Sequence, residues 1–90
     1  MSNHPRCAAN LVPGHQCWGP LTGQHIPKRS QGGKRERTKL CAGSHDAIDN
    51  GLRFQGRRLQ NHIDQHDRLV IRDRKTGEEW TDVDRQYTLS

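Results

Sequence analysis

Cys7, Cys17 and Cys41 are the residues that most restrict what this chain can become, because three thiols cannot all be consumed by disulfides within one chain. They weigh heavily because the usual source of stability is thin. Only 29% of the 90 residues are hydrophobic, and the mean hydropathy is −1.12. So little apolar surface barely offsets the entropy of ordering the chain. Small domains of this kind are held by disulfides, by a metal or by a partner. With no apolar signal-like or membrane-spanning segment in the sequence, a cytoplasmic protein with reduced thiols and no membrane contact is expected. Reduced thiols favour metal binding over disulfides. Nine residues separate Cys7 from Cys17, wider than a zinc-ribbon knuckle, so the spacing alone is equally compatible with two buried thiols and an exposed His15.

Charge points to the partner. The chain carries a net charge of +5 and a pI near 9.6, which suits a polyanion, with nucleic acid the commonest. Six of the twelve residues from 28 to 39 are basic: Lys28, Arg29, Lys34, Arg35, Arg37 and Lys39. We expect these to contact phosphates rather than form a merely solvated loop.

Punctuation along the chain sets its organisation. Pro5, Pro13, Gly14, Gly19, Pro20 and Gly23 make residues 1–23 rich in loops. A short strand is expected from Leu21 to Pro27, carrying His25, and Ser30-Gln31-Gly32-Gly33 reads as a turn. Ser44 is a candidate N-cap for a helix over 45–50 that stops at Gly51, with His45 and Asp49 four apart on one face. Leu59, His62, Ile63 and His66 follow helical spacing, which predicts a second short helix over 57–66. Leu69–Arg72 and Glu79–Val83 flank a turn at 73–77 and predict a C-terminal β-hairpin anchored by Trp80. Residues 85–90 are expected to form a flexible tail.

Hydrolysis of a phosphodiester needs a base to activate water, a divalent ion to stabilise charge on the leaving oxygen, and cations to hold the backbone. The chain offers His25, then His45 and Asp49, with the cationic loop between them. The stretches Gln24-His25-Ile26-Pro27-Lys28-Arg29-Ser30-Gln31-Gly32-Gly33 and Leu40-Cys41-Ala42-Gly43-Ser44-His45-Asp46-Ala47-Ile48 resemble the HNH endonuclease family, especially its small phage and bacterial members. The resemblance covers residues 17–51 and implies a ββα-metal core over 24–51. It implies His25 as general base, and His45, Asp49 and Gln24 around a catalytic Mg, Mn, Ni or Zn ion. It also implies that Cys7, Cys17 and Cys41 bind a structural zinc completed by His45 or His15. Gln24 stands where the family usually has Asp or His, and the place of the central asparagine falls near Glu36.

The expectation is therefore an α+β fold in a single HNH-like domain over 1–84. Its ββα-metal core is stapled by a candidate zinc site and followed by a second short helix and a hairpin. The expected function is metal-dependent endonuclease cleavage of DNA in a bacterial or phage-infected cell. The alternative is a non-catalytic zinc-stapled module that binds nucleic acid.

Overall fold

A computed structural model describes residues 3–89, and Met1, Ser2 and Ser90 lie outside the described residues. Among the described residues the fold is α+β, with one α-helix and two small antiparallel sheets. After a 3-10 turn at Ala8–Leu11, strands β1 (Leu21–His25) and β2 (Glu36–Cys41) form a hairpin. Helix α1 (Ala42–Asn50) begins directly where β2 ends. Strands β3 (Leu59–Ile63), β4 (Leu69–Asp73) and β5 (Glu79–Thr81) follow as a meander in the order β3-β4-β5.

Local chemistry explains the first hairpin. Its register pairs Leu21 with Cys41 and Gln24 with Thr38, then slips between Gln24 and His25, so that His25 faces Glu36. Such a bulge re-aims side chains at the end of a pair. The two glycines of the connecting loop serve different purposes. Gly32 takes a left-handed φ of 96°, whereas Gly33 is required by proximity, since a Cβ there would lie 1.7 Å from the Pro27 carbonyl oxygen.

Helix α1 starts earlier than the sequence suggests. Cys41, not Ser44, occupies the N-cap, and Ser44 is buried in the first turn with its hydroxyl 3.1 Å from Cys41 Sγ. The hydroxyl is engaged by sulfur and so is not available as a cap. Gly51 ends the helix in the left-handed region at φ 65°, as its position predicts.

The helix expected over 57–66 is instead strand β3. Helical and strand periods both fit this segment, and tertiary pairing decides between them. β5 offers β4 only three residues, while β3 pairs with β4 along its whole length, from Leu59 opposite Asp73 to Ile63 opposite Leu69. The strand period turns Leu59, Asn61 and Ile63 inward and leaves His62 exposed; His66 sits in the following turn. The β4–β5 hairpin forms as expected, and Trp80 packs against the core with Arg57 over its ring at 5.3 Å.

A single small core joins the two sheets. Cys7, Ala8, Ala9, Val12, Leu40, Cys41, Leu59, Leu69 and Ile71 are buried together. Nothing larger than leucine or isoleucine fills it, and two of its members are cysteines.

Residues 85–89, expected to be flexible, are fastened down. Buried Asp82 accepts hydrogen bonds from Gln86 N at 2.9 Å, Tyr87 N at 2.8 Å and Thr88 Oγ1 at 2.7 Å. The Tyr87 carbonyl accepts from Thr38 Oγ1 at 2.7 Å, and Leu89 N donates to Arg37 O at 2.7 Å. The sequence signal of a polar terminus was outweighed by one buried carboxylate that gathers three donors. Asp82→Ala is expected to cost about 3 kcal/mol, because those donors lose a charged acceptor. Urea unfolding of wild type and variant measures the loss; a difference below about 1 kcal/mol would mean that solvent replaces the carboxylate without penalty.

A second carboxylate organises the β4–β5 turn. Asp73 accepts from Lys75 N at 2.9 Å, from Thr76 N at 3.4 Å and from Arg57 at 3.2 Å. The Lys75 amide first, with the other donors, holds its pKa below the ordinary carboxylate range. A depressed carboxylate stabilises the fold above its unfolded value, and that contribution is lost as pH falls through the lower folded value. Stability should therefore fall below about pH 4. Asp73→Asn should be less stable than wild type at neutral pH and show a flatter acid limb in thermal melts. Parallel acid limbs would exclude Asp73 as a source of the slope.

Candidate metal centre and catalytic cavity

Among the described residues, one group of three or more potential ligands converges tightly enough to hold a metal: Cys7, His15, Cys17 and Cys41. They come from three places. Cys7 precedes the first 3-10 turn, His15 and Cys17 belong to the following loop, and Cys41 ends β2. All four donor atoms lie within 4.8 Å of one another.

The spacing fits zinc. Sulfur at about 2.3 Å and nitrogen at about 2.05 Å from a tetrahedral ion lie about 3.6 Å apart. Here His15 Nε2 is 3.7 Å from Cys7 Sγ, 3.5 Å from Cys17 Sγ and 3.7 Å from Cys41 Sγ. A Cys3His set is a closed structural site, with no position left open for chemistry. The histidine that completes it is His15, which leaves His45 for a separate role.

The surroundings of this cluster hold it in shape. Asn3 donates to His15 O at 2.9 Å and accepts from Cys17 N at 2.7 Å. Cys41 N donates to Cys7 Sγ at 3.2 Å. The Phe54 ring lies 6.0 Å from the His15 ring, centroid to centroid. Burial lowers the basicity of His15 and favours the neutral imidazole that binds metals. Without a metal, burial pushes the Cys7 thiol up to about 12, and the Cys17 thiol is also raised by burial. Burial acts in the same direction on Cys41, but hydrogen bonds led by the Ser44 hydroxyl outweigh it and lower the thiol. Three neighbouring sulfurs, two of them in buried cysteines, are costly as thiolates unless a cation neutralises them.

The second site lies between β1 and α1. His45 Nε2 is 2.9 Å from Asp49 Oδ2, one helical turn away, and His45 Nδ1 is 2.7 Å from Thr22 Oγ1 on β1. Thr22 Oγ1 donates its proton to Leu40 O at 2.9 Å, so it is free to accept from His45 Nδ1–H. With an ion held between Nε2 and Asp49, that hydrogen bond would fix the Nδ1–H tautomer that a metal ligand requires. Adjacent ligands at about 2.1 Å from an octahedral ion lie about 3.0 Å apart, so the His45–Asp49 separation fits a shared ion. Two protein donors with solvent or phosphate filling the rest suit Mg²⁺, and the imidazole extends the choice to transition ions.

Gln24 plays a different part. It is only 2% exposed, and both ends of its amide are committed: Nε2 donates to Asp49 Oδ1 at 2.9 Å, while Oε1 accepts from Asn61 at 2.6 Å. It positions Asp49 rather than offering an oxygen to an ion. Neither Thr22 nor Asn61 stands out in the sequence, because each acts across strands that the chain order does not reveal.

His25, His45, Asp49 and Glu36 line one cavity of about 520 Å³ together with Lys28 and Arg29. The cationic loop itself divides. Arg29, Lys34 and Arg35 are exposed. Lys28 Nζ reaches the Asp49 carbonyl, Arg37 is paired with Asp67 and bonded to Leu89 O, and Lys39 is held by Glu36 at 2.8 Å. Arg37 is withdrawn from solvent, with its side chain 12% exposed.

No family model, curated protein or solved structure matches the chain. No helix among the described residues is long and apolar enough to cross a membrane.

Proposed function

We propose that this protein is a metal-dependent endonuclease of the HNH type that hydrolyses phosphodiester bonds in DNA. One observation carries the reading: His25 from β1 and the His45–Asp49 pair from α1 face the same cavity, with Lys28 and Arg29 at its wall. The order of β1, β2 and α1 agrees with the ββα core that the sequence resemblance implies.

In this mechanism neutral His25 takes a proton from water as the water oxygen attacks phosphorus. The bond from phosphorus to the leaving oxygen breaks, and that oxygen is protonated from solvent. A divalent ion, when bound by His45 and Asp49, supplies stabilisation of the charge developing on the leaving oxygen. Thr22 and Gln24 hold those two side chains in place from behind. Arg29, Lys34 and Arg35 contact the phosphate backbone without reading bases, which predicts little sequence preference. The Cys7-His15-Cys17-Cys41 cluster holds structural zinc beside this machinery and takes no part in the reaction.

The commitment of both ends of Gln24 favours a second reading, a zinc-stapled module that binds nucleic acid without cutting it. Supercoiled plasmid incubated with zinc-loaded protein and added Mg²⁺, Mn²⁺ or Ni²⁺ separates the two. Metal-dependent nicking supports the endonuclease; binding without nicking under every ion supports the module.

A further inference from the structure

The side of the molecule beyond the helix C-terminus carries a concentration of charge that the catalytic reading does not use. Arg53, Arg58, Arg74 and Lys75, with Gly56, line a hollow of about 330 Å³. Three chain segments deliver these cations. Arg53 follows α1, Arg58 precedes β3, and Arg74 and Lys75 begin the β4–β5 turn. The Arg74 amide donates to the Arg58 carbonyl at 2.8 Å and fixes the turn against the segment before β3.

All four side chains are exposed, and among the described residues none is ion-paired. The contrast with their neighbours is informative. Arg57 is consumed by Asp73 and Trp80, and Asp73 itself is turned inward, 3% exposed, with its oxygens occupied by the turn. The acid nearest in sequence is thereby withdrawn from the hollow. Four neighbouring cations repel one another and add nothing to folding, whereas a polyanion laid across them relieves the repulsion.

The hollow shares one wall residue with the proposed catalytic region. Arg74 lines a second, larger cavity that contains His25, Lys28 and Asp49. Arg74 thus stands between the proposed reacting centre and the hollow, where it can contact a backbone that extends from one towards the other. The geometry points to Arg53, Arg58, Arg74 and Lys75 as a second phosphate-binding surface that holds duplex DNA beyond the point of cleavage. The inference rests on the nuclease reading for the choice of DNA as the polyanion. The longest dimension of the molecule is 30 Å, which at 3.4 Å per base pair limits the footprint to about 9 base pairs.

Fluorescence anisotropy with a labelled duplex of about 20 base pairs, in buffer without added catalytic metal, tests the surface by binding alone. Neutralising all four cations (Arg53→Gln, Arg58→Gln, Arg74→Gln, Lys75→Gln) should reduce the slope of log K against log salt by about 3.6. The variant's affinity should then fall about 100-fold less than that of wild type between 50 and 200 mM salt. The substitutions are on exposed side chains, and an unchanged zinc content and melting curve verify the fold. A matched pair of double variants removes the effect of net charge. Arg58→Gln with Arg74→Gln should lower the slope by about 1.8. Arg68→Gln with Arg85→Gln removes two charges near the Asp64–Arg68 turn, at the opposite end of β4, and should leave the slope unchanged. Equal loss in both doubles, an unchanged slope in the first, or wild-type binding without salt dependence would overturn the surface. A lowered slope in a protein that nicks no plasmid would keep the surface and remove the nuclease; nicking with unchanged slopes would do the reverse.

Discussion

Stripping zinc from the protein is expected to unfold it. A zinc ion held by Cys7, His15, Cys17 and Cys41 would tie together the segment before the first 3-10 turn, the loop of His15 and Cys17, and the junction of β2 with α1. Cys7 and Cys41 are also part of the buried core, so loss of the site is loss of a good part of the core. Structural zinc sites contribute about 10–16 kcal/mol in apparent binding energy, whereas whole domains are stable by only about 5–15 kcal/mol. A core this small leaves no reserve. Purified protein should contain one zinc per chain, and a strong chelator should abolish the cooperative melt. Cys41→Ser and His15→Ala should behave like the chelated protein, while His45→Ala should keep its zinc and its fold. A folded, metal-free protein, or zinc lost from His45→Ala, would contradict the assignment of ligands.

The second large effect concerns the proposed reacting centre. His45→Ala and Asp49→Ala each remove one of two protein donors, and cleavage should fall by at least about 100-fold. Thr22→Val tests the orientation of His45 separately. It keeps the shape of the side chain but removes the oxygen 2.7 Å from His45 Nδ1. Partners of metal-bound histidines are worth about 10–100-fold in metal affinity, so the Thr22→Val protein should need correspondingly more added metal to reach half its maximal rate. If raising the metal concentration restores its rate to the wild-type value, Thr22 acts through the position of His45. An unchanged metal requirement would leave Thr22 a purely structural residue. All three variants should retain zinc, because Thr22, His45 and Asp49 lie outside the Cys7-His15-Cys17-Cys41 cluster.

Much of the fold is legible in the sequence wherever local signals agree with tertiary pairing. The Gly32-Gly33 turn, the stop at Gly51 and the hairpin around 73–77 are each specified by residues a few positions apart. The strand at 59–63 is not, because Leu59, His62, Ile63 and His66 satisfy helical spacing by coincidence and only the need of β4 for a partner selects the strand. The docking of residues 85–89 is hidden for a related reason: it depends on Asp82 being buried, and a polar tail gives no sign of that. Within the candidate sites, the cysteines announce a metal, but spacing does not choose between His15 and His45 as the fourth ligand. That choice depends on the path of a loop rich in proline and glycine. Gln24 reads from the sequence as a weak ligand, and its role in holding Asp49 emerges only with Asn61 brought from β3. The hollow of Arg53, Arg58, Arg74 and Lys75 is the least legible, since its members are scattered over three segments.

His25, which shares a cavity with His45 and Asp49, is the proposed base. The most direct test is the initial rate of nicking of supercoiled plasmid by wild type and by His25→Ala, each verified to carry one zinc per chain and assayed at saturating added metal. General-base catalysis is worth about 100- to 10,000-fold, so His25→Ala should be slower by at least about 100-fold while binding duplex DNA as wild type does. Equal rates for the two proteins, or no metal-dependent nicking by wild type, would contradict it.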